Sequence, residues 1–81
     1  MSPRLRRLSS RELLGALRSL EFEVVTTRGS HAKLRRIGPR GEPQSLTIPL
    51  HRELAPGTLR AVYRQAAKLL PEQDLRPFFF H

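Results

Sequence analysis

Two clusters of turn-forming residues, Arg28-Gly29-Ser30 and Gly38-Pro39-Arg40-Gly41-Glu42-Pro43, divide the middle of this chain into three runs too short to be helices. The first run, Phe22 to Thr27, is aromatic and β-branched, as strands favour. The second spans His31 to Ile37, and the third spans Gln44 to Ile48 and is closed by Pro49. Links this short cannot carry a crossover, so the three runs predict sequential hairpins and an antiparallel meander.

Period-2 alternation then assigns faces. Ala32 and Leu34 point one way in the second run, with His31, Lys33 and Arg35 on the other side. In the third run Leu46 and Ile48 oppose Ser45 and Thr47. One face is apolar and the other is polar and basic. Arg36 followed by Ile37 breaks the rhythm, which predicts a bulge or the end of the strand there.

Helical patterns flank the meander. Ser9 and Glu12 form an S-x-x-E capping box, after which Leu13, Leu14, Leu17 and Leu20 line one face of a helix over residues 10–20. Beyond a loop that contains His51, Gly57 and Thr58 are expected to open a second helix with Thr58 as its N-cap. Its stripe is Leu59, Val62, Tyr63, Ala66, Leu69 and Leu70. Both helices can cover the apolar sheet face.

The expected organisation over residues 1–81 is one domain, since 81 residues support only a thin core. Residues 1–8 read as a loose basic arm, residues 9–70 as the core, and residues 71–81 as a tail with a short helix near Glu72 to Leu75. The tail ends in Phe78, Phe79 and Phe80, whose plainer reading is packing against the sheet edge or the first helix and whose sharper one is a docking surface for a protein partner.

Charge narrows the function. Fifteen Lys plus Arg against seven Asp plus Glu leave a net +8, and since Lys33 and Lys68 are the two lysines, thirteen of the fifteen are arginines. A planar guanidinium pairs bidentately with phosphate, so the balance points to nucleic acid before a generic basic surface. With no cysteine there is neither a disulfide framework nor a thiolate zinc site. No signal-like or membrane-length apolar run is present, and the expected location is the cytoplasm. The sequence offers no carboxylate pair, nucleophile triad, glycine-rich phosphate loop or metal-ligand cluster. Neither a metal nor a cofactor is expected.

His31 stands where a turn meets the basic face, with Arg28, Lys33 and Arg35 around it. Imidazole exchanges a proton near neutrality, and the cations attract phosphate. RNA carries its own nucleophile, the 2′-OH, so a metal-free ribonuclease needs only proton transfer and stabilisation of charge on phosphorus. His51 is a secondary candidate, for which the plainer reading is a loop histidine held by backbone contacts. Tyr63 and Phe22 read as core residues rather than base-stacking platforms.

The order helix, three strands, helix resembles the HicA family of small bacterial toxins over about residues 10–70. Three motifs carry the resemblance: Gly29-Ser30-His31 at the first hairpin, Ile48-Pro49-Leu50-His51 after the third strand, and Gly57-Thr58-Leu59 opening the second helix. Members of that family are mRNA interferases with a double-stranded-RNA-binding-domain-like fold, silenced by a partner antitoxin, HicB. The resemblance implies that His31 is catalytic, that Gly29 and Ser30 shape its turn, and that mRNA is cut. The Arg-rich arm and the phenylalanine ending depart from the family pattern.

The resulting expectation is an α+β domain with a three-stranded antiparallel sheet covered on one face by helices. It would act as a metal-independent endoribonuclease toxin on mRNA. His31 would be catalytic, Arg28, Gly29, Ser30, Lys33 and Arg35 would contact RNA, and a HicB-like antitoxin, acidic at the contact, would cover the site. Two rival readings are a non-catalytic double-stranded-RNA binder relying on Arg60 and Arg64, and a protein-interaction domain whose basic face serves only its partner.

Overall fold

Local chemistry sets each element. The computed structural model describes residues 4–81, so the first part of the expected arm, residues 1–3, lies outside the described residues. Helix α1, Ser10–Ser19, starts as its capping box dictates: the Glu12 N–H donates to Ser9 Oγ (3.1 Å) and the Ser9 N–H donates to Glu12 Oε1 (3.0 Å). These reciprocal bonds satisfy donors that a helix start leaves open. The backbone bond from Ser9, followed by its hydroxyl, holds the Glu12 carboxyl below its ordinary range.

Strands β1 (Glu23–Arg28), β2 (His31–Ile37) and β3 (Pro43–Pro49) follow, with helices α2 (Pro56–Ala67) and α3 (Glu72–Phe79) completing the chain. The sheet order is β1-β2-β3 with both pairings antiparallel. This is the expected α+β, double-stranded-RNA-binding-domain-like arrangement, with a further helix at the end. Gly29 makes the first hairpin possible. Its φ is +52°, and Ser30 is not in the positive-φ region, the signature of a two-residue turn with glycine at its first central position.

The helices bury the inner sheet face. Leu13 and Leu17 of α1 and Leu59, Val62 and Ala66 of α2 share one core with Phe22, Ala32, Leu34, Leu46 and Ile48. Each fully buried large side chain contributes on the order of 1.5–3 kcal/mol.

Five expectations need correction. The bulge falls between Val24 and Thr26 of β1, not at Arg36, and β2 pairs with β3 out to Ile37. Arg36 takes the inner position that alternation assigns it, half-buried, with Nη1 donating to the Leu20 carbonyl (2.9 Å) and its guanidinium 5.7 Å from the Phe22 ring centre. Leu20 caps α1, so a cation meets carbonyls that the helix leaves open. The rhythm is kept, with an arginine where a leucine would be ordinary.

Thr58 is not an N-cap. Helix α2 begins earlier, with Ala55 at the cap and Pro56 inside the first turn, because proline presets the helical φ and lacks the N–H that would go unpaired. Helix α3 runs past Leu75 and through Pro77 to Phe79. Burial of Leu75 and Phe79 offsets the bond that Pro77 removes, so the tail belongs to the core.

The arm is not loose over residues 4–8. Leu5 bridges Phe80 in antiparallel fashion, the Arg6 N–H donates to the Phe79 carbonyl (2.8 Å), and the His81 N–H donates to the Arg4 carbonyl (2.8 Å). Leu8 is buried. Phe79 and Phe80 stand 5.3 and 5.1 Å from Tyr63. The Tyr63 hydroxyl donates to Glu72 Oε1 (3.0 Å), and burial, then that carboxylate, pushes the phenol above its ordinary value. The phenylalanine ending therefore packs inward, but its partners are α2 and the arm rather than the expected sheet edge or first helix.

Candidate functional site

The outer sheet face is a grid built by register. Antiparallel pairing sets Arg28 opposite His31 and His31 opposite Pro49. The next row on this face is Thr26, Lys33 and Thr47, and the third is Glu23, Arg35 and Ser45. Directly opposed side chains stand about 4.5–5.5 Å apart at Cβ, so each row is a contact line. Thr26, Arg28, His31, Lys33 and Thr47 enclose a shallow depression at the hairpin end of the sheet. All five are exposed.

Register and burial place the expected residues unequally. Arg28, His31 and Lys33 come together in the depression, and Gly29 and Ser30 form the turn at its rim. Arg35 is on the same face one row away, in a separate depression with Glu23, Val25 and Ile37. The β1 bulge decides this layout. It keeps Val24 opposite Leu34 on the inner face and turns Glu23 outward beside Arg35, which partly offsets that cation.

His51 is not in the depression. The chain leaves β3 with the Leu50 N–H donating to the Ser30 carbonyl, and the His51 carbonyl then accepts from the Ser10 N–H (3.1 Å). These bonds turn the chain from the hairpin to the start of α1. His51 remains exposed, and its backbone ties loop to helix.

Thr26 and Thr47 were missed as site residues. Alternation in β3 already puts Thr47 on the polar face, and counting outward from the two-residue turn sets Thr26 beside Lys33. Their hydroxyls supply neutral hydrogen-bond donors between the cations. Among the described residues no three His, Cys, Asp or Glu side chains gather closely enough to hold a metal ion. No helix among them is long and apolar enough to cross a membrane.

A helix-backed three-stranded antiparallel sheet with a cationic, histidine-bearing outer face defines a small α+β module of the double-stranded-RNA-binding-domain-like class. The family model described as the HicA toxin of bacterial toxin-antitoxin systems matches residues 10–67. The chain belongs to the HicA toxin family. It is thus the toxin of a toxin–antitoxin pair, of a class that generally cleaves mRNA, with an antitoxin as partner. Comparison with curated proteins and with solved structures gave no significant match.

Proposed function

We propose that the depression beside the first hairpin is the cleavage centre, with His31 as general base in a metal-independent reaction. The observation that carries this reading is the row Arg28, His31 above Lys33 on one exposed face. An imidazole and two cations within one shallow depression match the needs of a ribose hydroxyl and its adjoining phosphodiester.

His31 takes the proton of the 2′-OH as O2′ bonds to phosphorus, and the P–O5′ bond breaks. The leaving O5′ takes a proton from water, and the hydroxide so formed takes the proton held by His31, which gives a 2′,3′-cyclic phosphate, a 5′-OH end and a neutral imidazole. Arg28 and Lys33 stabilise charge on the non-bridging oxygens, and Arg35 holds a neighbouring phosphate. Gly29 and Ser30 fix the turn that aims His31. No step requires a cofactor. The antitoxin is HicB-like and covers this face with an acidic surface, because buried cations need compensating charge. A toxin of this kind acts on mRNA in the cytoplasm.

His31→Ala tests the assignment. Cleavage should fall by roughly 10²–10⁴-fold, the usual contribution of general base catalysis, with RNA binding kept and growth inhibition lost. Cleavage by the His31→Ala protein at the wild-type rate would reject His31 as the base. Inhibition of the wild-type protein by a chelator would reject the metal-free mechanism.

A further inference from the structure

A second cationic surface lies away from the sheet. Arg4, Arg6, Arg7 and Arg60 surround a groove floored by Leu5, Leu54 and Leu59, with Glu53 its one acidic wall residue. The start of α2 borders it, and neither a side-chain cap at Ala55 nor an acidic residue in the first turn offsets the arginines.

The groove is built, not incidental. Its arginine-bearing wall, residues 4–8, is clamped on one side by the backbone bonds to Phe79 and Arg4's bond from His81, and on the other by the Leu54 N–H donating to the Leu8 carbonyl (3.0 Å). Arg6 Nη1 also donates to the Pro77 carbonyl (3.2 Å). Ordering this wall in advance removes a cost that a loose arm would bear on binding. Both the wall and the α3 segment that clamps it fall outside residues 10–67, the part of the chain that matches the family. The floor residues Leu54 and Leu59 and the wall residue Arg60 lie within that part, so the groove joins a matched surface to segments outside the match.

It also lies next to the candidate cleavage centre along the chain. Pro49 is the cross-strand partner of His31, and Glu53 lines the groove, so four residues, at most about 14 Å of chain, connect the two. Arg52, in that connection, shares a small depression with Glu12 and with Arg7 and Glu53, which also line the groove.

We propose that this groove is a second phosphate-binding track, which holds the RNA strand beyond the cleavage centre. The inference rests on the reading of the outer sheet face as that centre. RNA is favoured over an acidic protein segment because four guanidiniums, which pair bidentately with phosphate, face one carboxylate in a groove that starts four residues along the chain from the strand position opposite His31. The track raises affinity for long RNA and has no effect on a dinucleotide, which cannot reach it.

The test combines Arg4→Gln, Arg7→Gln and Arg60→Gln, all exposed, leaving Arg6 and its backbone contact intact. In a His31→Ala background, binding of a single-stranded RNA long enough to span both surfaces is measured against salt. Loss of three contacts should reduce the log–log salt slope by about 2, at roughly 0.7 per phosphate, and weaken binding roughly 50-fold near 0.15 M salt. With His31 present, the triple variant should show a raised KM on the long RNA and wild-type cleavage of a dinucleotide. An unchanged slope overturns the proposal. So does an unchanged slope with loss of antitoxin binding, which assigns the groove to the protein partner. Equal losses on long RNA and dinucleotide also overturn it, by placing the effect in the cleavage centre. Failure of the wild-type protein to cleave either RNA would reject the cleavage centre alone, because the salt slope still reports on the groove.

Discussion

Gly29→Ala and Gly41→Ala form a matched pair that separates stability from function. Both glycines hold positive φ, +52° and +79°, and a Cβ at either would meet no atom within 4 Å. The cost of each substitution is therefore torsional, about 1–2 kcal/mol for an L-residue in the left-handed region. Reduced freedom of the unfolded chain offsets about 0.4–1 kcal/mol of that. A net loss of about 1 kcal/mol lowers the melting temperature of a domain this size by about 4–8 °C in each variant. Their functional effects should differ. Gly29 sits between Arg28 and His31, which face each other across the turn, whereas Gly41 lies in the β2–β3 turn beyond the Ile37–Pro43 pair at the opposite end of the sheet. A displacement of about 1 Å in a reacting group can cost on the order of 10²-fold. Melting by circular dichroism and RNA cleavage well below both midpoints are the two assays. Comparable thermal losses with cleavage reduced only by Gly29→Ala are expected. Equal cleavage losses in both variants, or wild-type cleavage by Gly29→Ala despite its thermal loss, would refute the reasoning.

Phe79→Ala should cost about 3–5 kcal/mol, since the ring is fully buried against Tyr63, and a thermal melt should register it as a larger loss than either glycine variant. Proteolysis of the same variant should show the arm at residues 4–8 cut faster, because Phe79 and its neighbours clamp it. Ser9→Ala should cost about 1 kcal/mol at neutral pH through loss of the α1 cap. The Glu12 carboxyl is held low in the folded state, so its contribution is present above the ordinary carboxylate range and is lost as pH falls through the folded value. The difference in melting temperature between Ser9→Ala and the wild type should accordingly narrow on acidification.

Much of this fold is legible where one local rule acts alone. The Ser9–Glu12 box fixes the start of α1, and period-2 alternation with the Gly29 turn fixes β2 over His31 to Ile37. Legibility ends where two rules compete. Thr58 is a good cap by type, yet Pro56 two residues earlier already has helical φ and so sets the start of α2. Arg36 looks like a break in the pattern because its burial depends on the Leu20 carbonyl and the Phe22 ring, contacts between elements that no local window contains. Pro77 argues for a stop, and only the burial of Phe79 carries α3 through it.

The candidate site follows the same division. Alternation puts His31, Lys33 and Arg35 on one face, and a two-residue turn sets Arg28 opposite His31. The bulge at Val25 could not be read, and it is what brings Glu23 next to Arg35. The arginine groove was hidden for a similar reason. It exists because residues 4–6 pair with residues 79–81, the longest separation among the described residues.

The most direct measurement is the chemistry of the cut ends. An RNA with a single 2′-deoxy substitution at the cleaved position, compared with its all-ribose counterpart in the presence of chelator, reports whether the internal hydroxyl is the nucleophile. The account predicts 2′,3′-cyclic phosphate and 5′-OH ends from the all-ribose RNA and no cut at the substituted position. A 5′-phosphate end, or cleavage at the deoxy position, would contradict it.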